Sequence, residues 1–253
     1  MRRALIIAAA LGSVTSAALA AEVDPAAFQP YAGGLIDHLT IGTERLAAEV
    51  DAGDLEGAKE AWIAARFGWE RGETFLGEYF PESDEAIDSW PDADAGFHAL
   101  EPLLFEAGDL EGAKPLATAL LAEVGTLQKR VAEQTFDAQG LINGLAGIAF
   151  EIGDAKASGG ESPFAGTSLR DMQDNLAGIE ALYALSFARA VETQDPALHR
   201  RIVARLIDLG AALAVPSINA LDQSRVMAAS EQLAGDFQDA ARVLGLEQPS
   251  LAG

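Results

Sequence analysis

The residues of this chain best suited to chemistry are one histidine and a set of carboxylates. In "GFHALEPLLF", Gly96 to Phe105, His98 and Glu101 stand three apart. On a helix that spacing puts both on one face, with β-carbons about 5–6 Å apart, so both could reach one ion. The preceding "WIAARFGWERGETF" carries Glu70 and Glu73 at the same spacing among Trp62, Phe67, Trp69 and Phe75. An unpartnered carboxylate buried among aromatics is very costly. These acids therefore either point to water beside Arg66 and Arg71 or share a cation held between helices. Asp88, in an acidic stretch, and Glu151, at the end of the apolar run in "GIAFEIGDAK", are further candidates. Carboxylates with one imidazole make a hard, oxygen-rich donor set suited to iron, manganese or calcium, whereas zinc and copper more often recruit additional histidines or cysteines. There is no cysteine in the chain, which removes thiolate sites and disulfides together.

His-x-x-Glu followed by a distant histidine is also a zinc arrangement of some peptidases, and His199 lies downstream in "DPALHRRIVAR". A zinc metallopeptidase built on His98, Glu101 and His199 is thus the alternative reading. Those enzymes use a mixed α/β frame, for which strand-like runs are missing. His38 has no acid three residues away. HExxH, G-x-S-x-G, a phosphate loop and basic patches with interleaved aromatics are all absent from the sequence. The balance of 17 basic against 39 acidic residues, a net charge of −22, repels nucleic acid and anionic membranes and concentrates cations. Trp62, Trp69, Trp90 and Phe97 offer a third reading, an aromatic binding surface for glycans, set against ordinary core packing.

The elements that must position these groups are helices. Alanine, leucine and glutamate dominate, and apolar residues recur at three- and four-residue spacings. The pattern predicts helices over 25–51, 55–79, 95–107, 110–135, 137–157, 168–193, 196–213 and 217–244. Such a set fits an all-α, bilobed protein of two antiparallel four-helix bundles in tandem. "AGDLEGAK" occurs identically at Ala52–Lys59 and Ala107–Lys114. Each copy offers glycine to end one helix and aspartate to cap the next. The segments 80–96 and 158–167 read as irregular connections, the first strongly acidic.

The N-terminus, "MRRALIIAAALGSVTSAALAAEVD", has the two arginines, apolar run and Ala-x-Ala end of a secretory signal peptide cleaved after Ala20. Losing Arg2 and Arg3 with it would take the charge from −22 to −24. Residues 21–253 are then the exported, helical, metal-binding domain. No later run is apolar enough to span a membrane.

Taken together, "W..AR..WE..E", the acidic "D..ID" segment, "GFH..E..LF" and "EIGDAKASGGESPFAGTSLRDMQDNLAG" resemble the imelysin-like domain of the EfeO/EfeM periplasmic iron-uptake family. In the last segment the matching positions are Glu151, Lys156, Gly160 with Glu161, Ser168 with Leu169, and Asn175 with Gly178. The similarity implies a bilobed helical metal-binding protein of the periplasm, of the short EfeM type without a cupredoxin-like domain, and monomeric. It implies Glu70, Glu73, Asp88, His98 and Glu151 as metal ligands, with Asp84 as the alternative to Asp88. Glu101 would act as a further ligand or as a support. The implied cargo is iron, Fe2+ or Fe3+, with Zn2+ or Cu2+ as other candidates, and the partners are an inner-membrane permease and a haem-dependent peroxidase. Ala99 stands where the family usually has arginine, and Trp69 where tyrosine is common.

Overall fold

The computed structural model describes residues 22–90 and 94–251, so the signal-peptide expectation, residues 1–20, lies outside the described residues. Among the described residues there are ten α-helices: α1 Gln29–Ala52, α2 Leu55–Tyr79, α3 Pro81–Asp88, α4 Gly96–Pro102, α5 Leu110–Glu133, α6 Ala138–Asp154, α7 Ser168–Leu182, α8 Ala188–Gln194, α9 Pro196–Leu213 and α10 Gln223–Val243. Among the described residues there is no strand, and the all-α expectation holds.

The two "AGDLEGAK" copies make the same joint. Gly53 and Gly108 adopt left-handed φ angles of 75° and 63°, and the next residue, Asp54 or Asp109, accepts a hydrogen bond from the backbone N–H of Gly57 or Gly112 at 2.9 Å. The first joint folds α2 back on α1; the second leads from the wide turn Leu103–Ala107 that follows α4 into α5.

One group of helices consists of α1, α2 and α5 with the short α3 and α4, and the other of α6, α7, α9 and α10. Helix α2 belongs to both, packing on α1 along one side and on α6 and α7 along the other. In consequence the buried apolar residues form one continuous core, from Phe28 and Leu39 through Trp62, Trp69 and Phe75 to Leu145, Ile179 and Phe237. Close approach of α7 to α2 depends on Gly178, where a Cβ would collide with the carbonyl oxygen of Arg71.

The acidic segment 80–96, expected to be loop, is partly helical. Pro81 opens α3 with its preset φ, and Glu82 and Asp84 lie in the first turn, where the helix dipole favours negative charge. Gly96 then starts α4 with φ 71°, and a Cβ there would collide with the carbonyl of Ile87. The close approach of Gly96 to Ile87 sets α4, with His98, against the C-terminal end of α3, with Asp88.

Candidate metal centre

Helix α2 delivers Arg66, Trp69, Glu70 and Glu73 from two successive turns, and the two acids do not point to water as the outward-facing alternative required. Glu70 is 0% exposed and Arg66 1%. Arg66 pairs with Glu70 one turn on, and its other Nη donates to Asp88 Oδ1 of α3 at 2.6 Å. Asp88 Oδ2 accepts from the indole N–H of Trp69 at 2.7 Å. The guanidinium carbon also lies over the rings of Trp62 and Phe97, at 5.3 and 5.6 Å from their centroids, so the group makes cation–π contacts as well as ion pairs.

Lys156, on the short turn Lys156–Ser158 after α6, is the second buried cation. Its Nζ reaches Glu73 Oε2 at 2.7 Å, Glu161 Oε1 at 2.9 Å and Glu70 Oε2 at 3.2 Å. Asn175 of α7 donates to Glu70 Oε2 at 2.9 Å and to the Glu70 carbonyl at 2.8 Å, and it also donates to Glu73. Asp171, one turn before Asn175, accepts from Ser162 at 2.8 Å and Thr167 at 3.0 Å and stands 3.6 Å from Arg66.

His98 completes the other side. Its Nε2 is 3.3 Å from Asp88 Oδ1 and its Nδ1 3.9 Å from Glu101 Oε2. The first contact is an ion pair by distance but is not aligned as a hydrogen bond, so both ring nitrogens are buried without a hydrogen-bond partner, as is Glu161 Oε2. Glu101 turns its other oxygen to the backbone N–H groups of Phe164 and Ala165, at 2.9 and 2.7 Å. That pair of bonds ties α4 to the loop carrying Glu161.

Two sets of donor atoms are compact enough for one ion, with all atoms within 4.8 Å of one another: Asp88, His98 and Glu161, and Glu70, Glu73 and Glu161. Of the expected ligands, Glu70, Glu73, Asp88 and His98 thus come together, and Glu101 sits beside them. Glu151 is exposed and belongs to neither set; with Asp84 and Glu73 it lines the adjoining cleft, a cavity of about 500 Å³ also bounded by Trp90, Lys156 and Glu161. Of the proposed aromatic surface, Trp62, Trp69 and Phe97 are wholly buried and only Trp90 is exposed. His199 bonds to the Tyr183 hydroxyl at 2.9 Å and joins neither donor set, so the His98, Glu101, His199 triad of the peptidase reading is not gathered among the described residues.

Charge is unevenly balanced here. Six carboxyl groups, those of Glu70, Glu73, Asp88, Glu101, Glu161 and Asp171, surround Arg66, Lys156 and His98. Burial alone would raise Asp88, but Arg66 and His98 outweigh it and hold that carboxyl well below its usual range. Burial likewise opposes charge on His98, yet Asp88 lifts its pKa to about 9. For Glu73 burial and the charge of Glu70 prevail over Lys156, and its pKa is raised well above the ordinary value. Asp84, at the cleft, is pushed up to about 7 by burial and by the charges of Asp88 and Glu151. A divalent cation would relieve the excess negative charge and engage the unpartnered atoms of His98 and Glu161, so the donor set fits a hard metal ion.

Sequence reasoning considered Arg66 only as a surface partner in one of two open readings, reached Lys156, Glu161 and Asn175 only as matched positions, and missed Asp171. The available signal was a lone lysine in "EIGDAK" followed five residues later by a glutamate in a Gly-Ser-Pro loop. Only the fold shows that both return to α2.

A family model described as Imelysin, of the peptidase M75 group, matches residues 26–244. The chain belongs to the imelysin family. This imelysin chain is 31% identical over 184 residues to "Iron uptake system component EfeM" of Pseudomonas syringae pv. syringae (strain B728a), covering 69% of this chain and 64% of the relative. It is 32% identical over 168 residues to "Iron uptake system component EfeO" of Escherichia coli (strain K12), covering 63% of this chain and 44% of the relative. It therefore spans less than two thirds of the length of either relative. A crystal structure of a Parabacteroides distasonis protein, proposed to be an iron-regulated protein A precursor, superposes with a TM-score of 0.72 at 16% identity, over 88% of this chain and 96% of that one. That likeness concerns the fold.

Proposed function

We propose that this imelysin-family protein is a periplasmic iron-binding component of an Efe-type uptake system. It takes Fe2+ or Fe3+ as cargo and passes it to an inner-membrane permease, alongside a haem-dependent peroxidase of the same system. The observation that carries the reading is a buried carboxylate set in excess over its internal cations, in which His98 and Glu161 keep ligand atoms without partners. The names of the relatives support iron as the ion.

In this reading Asp88, His98 and Glu161 bind the ion, Glu70 and Glu73 supply the adjoining negative charge, and Glu101 fixes His98 against the Glu161 loop. Glu151 and Asp84, at the cleft, gather cations from solvent by their charge. Binding requires His98 to be neutral and the carboxylates ionised, so loading releases protons and affinity falls on acidification. The task is capture and transfer. Zn2+ and Cu2+ are the competing ions for an imidazole-containing site.

The test is anaerobic titration of the purified protein with Fe2+, followed by elemental analysis. Wild type is expected to retain iron, and His98→Ala, Glu70→Ala and Glu73→Ala to lose it in whole or part. Equal iron in all four would remove the reading. Peptide cleavage stopped by a chelator and abolished in His199→Ala would replace it with the peptidase alternative.

A further inference from the structure

The two compact donor sets share Glu161 but differ in what fills them. An ammonium has three donors and no acceptor, and all three donors of Lys156 are taken, by Glu70, Glu73 and Glu161. Those are the same three residues whose oxygens lie close enough together to hold one cation. The lysine is 5% exposed, and its short turn ends at Gly159, with φ 75°, two residues before Glu161. Asn175 closes the same set from α7. On the other side of Glu161, Oε2 and both nitrogens of His98 have no hydrogen-bond partner. One set is therefore occupied by a cation belonging to the chain, whereas in its neighbour Asp88 is held by Arg66 and Trp69 but the imidazole and Glu161 Oε2 make no hydrogen bond.

We propose that Lys156 is a tethered cation that fills one of two adjacent cation positions and so limits the centre to a single metal ion, bound at Asp88, His98 and Glu161. This rests on the iron-binding reading above and adds to it a residue that sets stoichiometry. Two divalent ions sharing one carboxylate would neutralise the buried acids more completely than one ion and one ammonium. With the lysine in place, only one ion is taken up, and the Glu161 loop stays fastened to α2 whether or not iron is present. Without it, the vacated oxygens of Glu70, Glu73 and Glu161 accept a second ion, since a lone ammonium and a small cation satisfy the same hard donors.

The experiment is titration of the purified protein with Fe2+ under anaerobic conditions, with ions per chain read by native mass spectrometry and calorimetry. Wild type and Lys156→Arg are expected to hold one Fe2+, and Lys156→Met two. Lys156→Met leaves buried carboxylates without their counter-ion, so Lys156→Gln, whose neutral amide can still donate to the acids while all three carboxylates are kept, is made in parallel and is also expected to hold two. The proposal is overturned if wild type holds two ions, if both folded variants hold no more than wild type, or if neither variant folds even with Fe2+ present. A wild type that binds no Fe2+ defeats the iron-binding reading instead. One ion in wild type and one in both variants defeats only the assignment of Lys156.

Discussion

The Lys156 side and the His98 side of the centre share Glu161, and the contrast between them shows how one protein treats buried acids in two ways. On the Lys156 side the ammonium and Asn175 both donate to Glu70 and Glu73, and Lys156 also binds Glu161 Oε1. On the His98 side Asp88 is fully engaged, by Arg66 and Trp69, while the imidazole and Glu161 Oε2 lack hydrogen bonds. The first arrangement is that of a structural ion pair, whose loss of one partner leaves an uncompensated charge. The second is that of a ligand site in which Asp88 is held in place while His98 and Glu161 Oε2 make no hydrogen bond.

That contrast is broken most forcefully at Glu70, which faces both Arg66 and Lys156. Removing one partner of a buried ion pair typically costs about 3–5 kcal/mol. Glu70→Ala should therefore lose stability of that order in denaturant unfolding and lose iron as well. At His98 the two effects should separate: His98→Ala is expected to keep the fold by circular dichroism while iron affinity falls at least roughly 10- to 100-fold, the loss typical of removing even an outer partner of a metal ligand. If His98→Ala unfolds as readily as Glu70→Ala, the division between a structural side and a ligand side fails.

Asp84 tests the cleft next to both sets. Its carboxyl is raised from an ordinary 3.8 to about 7, so the folded protein holds that proton more tightly than the unfolded chain. The resulting penalty is absent below about pH 4, grows between there and about 7, and is complete above. Asp84→Asn should accordingly melt like wild type at pH 4 and at a higher temperature than wild type at pH 8. A gain equal at both pH values would place the cause outside its ionisation. A smaller effect is expected for Trp69→Phe, which removes the indole N–H from the Asp88 carboxylate and leaves a smaller ring in a buried site: about 2–3 kcal/mol of stability, with a few-fold loss of iron affinity. The control is Asp54→Ala, a helix cap remote from the site in sequence, which should cost about 1 kcal/mol and leave iron binding unchanged.

Much of this was legible before any coordinates. Three- and four-residue apolar spacings announced helices close to those found, and the repeated octapeptide specified two equivalent joints, because a left-handed glycine and a capping aspartate act within a few residues of themselves. The family-specific order of Glu70, Glu73, Asp88 and His98 likewise identified residues that do converge. The acidic segment was misread as loop throughout because its charges resemble those of a solvated connection. Arg66 stayed open between two readings, because an arginine four residues before a glutamate describes a surface pair and a buried one equally well.

The sequence by itself determined the helices, the joints between them, the absence of thiolate ligands and a surplus of carboxylates, since each follows from local backbone preference or composition. Only the tertiary structure decided which carboxylates are buried, that Arg66 and Lys156 are their counter-ions, and that Glu161 stands between a filled position and one with free ligand atoms. Those outcomes depend on residues far apart along the chain meeting around α2, as Lys156 meets Glu70 across 86 positions. Whether an acid is solvated, paired or ready for a metal is set by the neighbours that folding brings to it.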